Sequence, residues 1–308
     1  MLKISTHTKA VLQALFVVFL WATSWVLIKI GLQDIPALTF AGLRYTMAFL
    51  CMLPIMLFSR QSRSLRKISR NTWGRLALLG IIYYAITQGA VFVALAYLPA
   101  VTVNLLFGFS NIAVAVMGIL FLAEYPTRFQ WSGVLLAILG TLIYFYPVTL
   151  LSNQLFGILV AIIGLVANSG SSILGREINR RGDIHPLNVT TISMGIGSIP
   201  LLIAGIAVQG MPTMTTQGWI IIAWLAVVNT AFAFTLWNLT LRSLSAMESS
   251  IINGTMLIWI PILAVIFLQE QVSTKEVIGL VVVAIGTLFV QLRQPIIISS
   301  LLERLRIQ

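Results

Sequence analysis

Residues 98–142 read LPAVTVNLLFGFSNIAVAVMGILFLAEYPTRFQWSGVLLAILGTL, and residues 244–288 read LSAMESSIINGTMLIWIPILAVIFLQEQVSTKEVIGLVVVAIGTL. Laid over each other at an offset of 146, they share eleven residues without a gap. Leu98, Ala100, Gly108, Ile112, Phe121, Leu122, Glu124, Gly133, Gly140, Thr141 and Leu142 meet their own type at Leu244, Ala246, Gly254, Ile258, Phe267, Leu268, Glu270, Gly279, Gly286, Thr287 and Leu288. An apolar-biased composition gives ~4 such matches by chance, so the glycines and glutamates carry most of the signal. The chain reads as an internal duplication.

Composition states what is duplicated. The 308 residues are 59% hydrophobic and 9% charged, with mean hydropathy +1.00. A soluble domain of this size needs far more charged surface. Apolar runs of about twenty residues, enough to span ~30 Å of hydrocarbon, recur almost end to end. Backbone polar groups inside lipid must be satisfied within the segment, so the runs are helices. The single cysteine, Cys51, lies in such a run. It excludes an intrachain disulfide and reads as packing.

Ten spans follow from the breaks, at about 10–31, 36–58, 73–94, 97–122, 131–149, 155–176, 186–208, 217–240, 245–268 and 275–293. The breaks carry turn chemistry, as at Asp34 to Pro36, Glu124 to Pro126 and Gly210 to Pro212. With a cytoplasmic N-terminus, sixteen of the nineteen lysines and arginines fall on the inside, leaving Lys29, Arg44 and Lys275. The net charge of +11 is thus spread over connections, which suits anionic lipid of the cytoplasmic leaflet and not nucleic acid. Glu124 and Glu270 then end matching helices on opposite sides. Each half has five helices, and the second enters the membrane upside down. The expected architecture is an all-α polytopic membrane protein of two inverted five-helix repeats, 1–150 and 151–293. A cytoplasmic amphipathic tail, 294–308, follows with Leu301, Leu302 and Leu305 on one side. Inverted repeats supply two halves that exchange inward-open and outward-open packings, the basis of alternating access in secondary transporters.

Several short stretches carry a family resemblance. They are Trp21-Ala22-Thr23-Ser24 and Ile28-Lys29-Ile30-Gly31-Leu32 in the first span, and Leu43-Arg44-Tyr45 in the second. Ala94-Leu95-Ala96-Tyr97-Leu98-Pro99-Ala100 leads into the fourth. Two junctions complete the set, Ala123-Glu124 to Gly133 to Gly140 and Gln269-Glu270 to Gly279 to Gly286. On these residues the chain resembles the drug/metabolite transporter superfamily, in its EamA-type ten-helix members. The resemblance implies two inverted five-helix repeats that move small organic solutes across the inner (plasma) membrane, many members exporting amino acids or other metabolites. The family often has a proline midway along helices four and nine; here Pro261 is matched by Ala115. Four-helix multidrug relatives use a glutamate in helix one, and this helix has no acid, which argues against a cation/proton antiport of that kind.

Polar residues inside lipid are costly, so those sharing a helix face are the candidate substrate-binding residues. The first span offers Trp21, Ser24 and Trp25, and the third Tyr84 and Gln88. The fourth offers Asn104, Phe107 and Asn111, and the sixth Asn168 and Ser172. The eighth adds Trp237 and Asn238, and the ninth Asn253. Aromatic faces with a few amides suit a neutral or zwitterionic solute with an apolar part. The same residue types also hydrogen-bond between membrane helices or sit in interface belts. Arg44 and Glu248 are the candidates for charge or proton coupling. The sequence has no catalytic constellation, cofactor motif, metal-ligand spacing or phosphate-binding loop, which disfavours an enzyme and ATP-driven pumping. A secondary transporter that exports small amphipathic metabolites, such as amino acids, is the leading expectation; a channel or lipid scramblase shares the helix count. Monomer and homodimer both remain open.

Overall fold

The structure, a computed structural model, describes residues 6–59, 68–110, 112–114, 117, 127–146, 152–181, 184–240, 243–244 and 246–291. The helices are α1 (Thr6–Gly31), α2 (Ala37–Phe58) and α3, which is α-helical over Arg70–Leu79, a π-helix over Gly80–Thr87, and α-helical again over Gln88–Tyr97. Next come α4 (Ala100–Gly108, continuing to Val114), α5 (Arg128–Phe145), α6 (Ser152–Arg181) and α7 (Pro186–Gln209). The last three are α8 (Thr216–Ala226, a π-helix over Val227–Phe232, then Ala233–Thr240), α9 (Ala246–Gly254 and Met256–Leu268) and α10 (Thr274–Gln291). The described residues contain no strand.

The chain is thus an all-helical, multi-pass membrane protein. Eight helices, α1–α3 and α5–α9, are long and apolar enough to cross a membrane. The expectation of ten spans adds α4, a shorter apolar helix over Ala100–Val114, and α10, whose first turn carries Lys275 and Glu276. Apolar side chains such as Leu135, Ile203, Ile220 and Ile266 stay exposed, as a lipid-facing surface requires.

Local chemistry sets the helix ends. Thr127 Oγ1 accepts from Gln130 N at 3.2 Å while Gln130 Oε1 accepts from Thr127 N at 2.9 Å, a reciprocal cap that starts α5. Ser273 and Glu276, each 146 positions on, start α10 in the same way, at 3.3 and 2.7 Å. Both α4 and α9 break just after a matched glycine. Phe109 N donates to Leu106 O and Thr255 N to Ile252 O, both at 3.1 Å, tightening one turn to i→i+3 bonding. The π-helical residues recur too, since 81–86 shifted by 146 is Val227–Phe232.

Matched helices of the two halves pack against each other. A Cβ on Gly133 of α5 would stand 2.6 Å from Gly286 O of α10, and one on Gly140 would stand 2.7 Å from Gly279 O. The pairing 133 with 286 and 140 with 279 makes α5 and α10 antiparallel, and only glycine permits this approach. Phe129 stacks on Phe289 at 4.4 Å further along the same seam. Helices α2 and α7 are likewise antiparallel, with Gly42 against Leu202, Gly205 against Thr39 and Gly195 against Phe49.

Candidate functional site

A cavity of about 720 Å³ lies among α1–α4 and α6–α9, and none of its lining residues comes from α5 or α10. It runs from Ile28, Arg44 and Val91 to Leu79, Asn179 and Thr190. The latter group lies toward the end of the bundle that holds the start of α1 and the connection between α2 and α3. At the opposite end two charged side chains tie helices together. Lys29 Nζ donates to Leu95 O and Leu98 O, both at 2.6 Å, where α3 ends. Glu270 takes N–H from Ala100 at 2.6 Å and Val101 at 3.1 Å, where α4 begins. A cation at a helix C-terminus and a carboxylate at the next N-terminus each complement the local dipole. Glu270 is therefore engaged as a turn anchor.

One wall is aromatic. Trp21 of α1 meets Phe234 and Trp237 of α8, with ring centroids 5.3 and 5.2 Å apart, and Trp25 stands edge-on to Phe107 at 6.3 Å. The Trp21 indole N–H has no acceptor among the described residues. Asn104 Nδ2 reaches Met256 O at 3.5 Å, and Asn168 Nδ2 donates to Ser110 Oγ at 3.1 Å. Ser172 Oγ donates back to Asn168 O at 2.9 Å, the i→i−4 bond expected of a helical serine.

The other wall is built around Arg44, which is 5% exposed. Its Nε donates to Thr230 Oγ1 at 3.3 Å and its Nη2 to Ser24 Oγ at 3.4 Å, joining α2 to α8 and α1. The guanidinium carbon sits 5.1 Å from the centre of the Tyr45 ring, and Tyr45 OH donates to Gln88 Oε1 at 2.7 Å. Asn229 Nδ2 adds bonds to Ser24 Oγ at 2.9 Å, Thr23 Oγ1 at 3.0 Å and the Leu20 carbonyl. No carboxylate lies within ion-pair distance of Arg44 among the described residues.

The structure brings Trp21, Ser24, Trp25, Arg44, Tyr84 and Gln88 to this one cavity, together with Asn104, Phe107, Asn168, Ser172, Trp237 and Asn253. Asn111, Glu124 and the tail 294–308 lie outside the described residues, as do the side chains of Asn238 and Glu248. The sequence reading passed over Tyr45, Tyr83, Thr87, Asn179 and Ser193, which line the same space, and Asn229 behind it. Tyr83 stands four positions before Thr87, on the broad helical stripe that also carries Tyr84, Gln88 and Val91, and that spacing was its signal in the sequence. No group of three or more His, Cys, Asp or Glu that would hold a metal occurs among the described residues.

Known proteins share this architecture. The chain is 25% identical over 294 residues to the uncharacterized transporter YoaV of Bacillus subtilis strain 168, covering 90% of this chain and 95% of that one. It is also 25% identical over 295 residues to a probable amino-acid metabolite efflux pump of Escherichia coli K12, covering 89% and 91%. A solved crystal structure at 17% identity superposes with a TM-score of 0.64 over 97% of this chain and 99% of its own, a likeness of fold. The EamA-like transporter family matches twice, at residues 8–146 and again at 155–292. Together with eight helices long and apolar enough to cross a membrane, the double match makes this chain a membrane transporter that belongs to the EamA-like family.

Proposed function

We propose that the chain is a secondary transporter of the inner (plasma) membrane. It exports small amphipathic metabolites, amino acids and related compounds among them, by alternating access and without ATP. The observation that carries this reading is the cavity wall, to which four helices of each half contribute, α1–α4 and α6–α9. A solute held between two halves is exposed to one side or the other as the halves rock. Ten crossings, cytoplasmic termini and inverted halves 1–150 and 151–293 belong to the same proposal. The antiparallel pairing of α5 with α10 and of α2 with α7 supports inversion, because helices in matching positions run in opposite directions. With the N-terminus inside, the cavity faces the cytoplasm. The printed name of the Escherichia coli relative supports the choice of solute and direction.

The test is flux through the purified full chain in liposomes. Saturable uptake of labelled L-phenylalanine without ATP, accelerated by unlabelled L-phenylalanine on the far side, is the expected result. Linear, unsaturable flux that carries ions is the outcome that replaces the transporter with a channel. Proton coupling through Glu248 predicts that collapsing the pH gradient, or the change Glu248→Gln, abolishes uphill accumulation while exchange continues.

A further inference from the structure

Alternating access by itself needs no charge in the cavity wall, yet Arg44 puts one there. Among the described residues it is the only charged side chain that lines the cavity, and it is 5% exposed. Its hydrogen bonds go to two hydroxyls, at 3.3 and 3.4 Å, where an arginine on a carboxylate bonds at ~2.7–2.9 Å. Those hydroxyls are already committed. Thr230 gives its proton to Leu225 O at 2.8 Å, and Ser24 also accepts from Asn229 at 2.9 Å. They orient the guanidinium without neutralising it. A buried charge without a counter-ion is unfavourable, and in a membrane interior such a group marks a substrate or ion path.

The surroundings fix what kind of anion fits. The Tyr45 ring lies under the guanidinium carbon at 5.1 Å and is pinned by its own bond to Gln88, so the planar fork has a rigid platform. One cation without a second in the wall matches a single negative charge, and a planar fork matches a planar carboxylate in two parallel bonds. Trp21 and Trp25 flank Ser24 on α1, within about one helical turn, and supply apolar faces beside the charge. Arg44 repels an organic cation, and among the described lining residues no carboxylate offsets that repulsion.

We infer that Arg44 is the recognition site for a carboxylate on the transported solute. The substrate class is then a monocarboxylate with an apolar or aromatic body, zwitterionic amino acids included and organic cations excluded. This rests on the transport reading for what happens to the solute after it binds.

The experiment uses three probes on the purified full-length chain. L-Phenylalanine carries both charges, 3-phenylpropanoate only the carboxylate, and L-phenylalaninamide only the ammonium. Thermal stabilisation is titrated for each, followed by liposome flux. L-Phenylalanine and 3-phenylpropanoate are expected to stabilise the wild-type chain, with L-phenylalaninamide at least ~10-fold weaker, the loss of a charge-assisted hydrogen bond. Arg44→Gln is expected to shrink that difference to about twofold or less. Equal binding of L-phenylalaninamide, or no stabilisation by any of the three, overturns the assignment on the wild-type chain alone, whether or not the variant folds. L-Phenylalanine that binds with the expected selectivity but is not moved removes the transport reading and leaves the Arg44 site standing. Equal saturable flux of all three removes the Arg44 site and leaves transport standing.

Discussion

Single side chains in this protein do two separable jobs. Glu270 and Lys29 close backbone groups at helix ends, whereas Trp21, Gln88 and Asn253 face the cavity. Trp21→Ala, Gln88→Ala and Asn253→Ala are each expected to lower flux several-fold while leaving the amount of folded protein nearly unchanged. Expression and transport measured side by side decide this, and full activity in all three removes these side chains from the site. Glu270→Gln behaves differently, because it removes the charge from a cap made to the N–H groups of two buried residues, Ala100 and Val101. It is expected to cost about 1–2 kcal/mol, read as a lowered melting temperature. The residue types at these positions were legible in the sequence. Their division of labour was not, because asparagine and tryptophan serve equally well between helices or against a solute.

At the scale of elements, the repeat extends beyond residue identity to local geometry. Reciprocal caps, tightened turns after Gly108 and Gly254, and π-helical segments all recur 146 positions apart, although Tyr84 and Thr230 share neither type nor surroundings. The turns and π-helices lie beside the cavity, where a helix whose bonding is already rearranged reshapes more easily than a regular one. The glycine seam between α5 and α10 is the rigid counterpart. Gly133→Leu and Gly140→Leu each drive a side chain into opposing backbone, and overpacking of this kind costs about 1–3 kcal/mol. Both are expected to lower the melting temperature, whereas Gly74→Leu, at a position open to 4 Å around, is expected to leave it unchanged. Equal stability of all three variants would contradict the seam.

For the whole molecule, the shape of the cavity gives a topological prediction. Its lining reaches Leu79 and Asn179 toward one end, and the bonds of Lys29 and Glu270 hold helices together at the other. With Cys51→Ala as background, Asn179→Cys and Ser172→Cys are expected to react with a membrane-impermeant maleimide in inside-out vesicles and to be protected in intact cells. Labelling in intact cells alone would reverse the orientation.

What the sequence by itself determined is local in origin. Helix limits follow from turn residues and from the need to satisfy backbone bonds within each segment, and α2 at Ala37–Phe58 and α7 at Pro186–Gln209 lie where those signals put them. The duplication was legible for the same reason, since a repeat is a comparison along the chain. Only the tertiary structure decided that Arg44 meets Ser24 and Thr230, that Tyr45 locks onto Gln88, and that α5 lies antiparallel to α10. Such contacts depend on which helix faces converge. A period along one helix says which side is polar, and only packing says which neighbour that side meets.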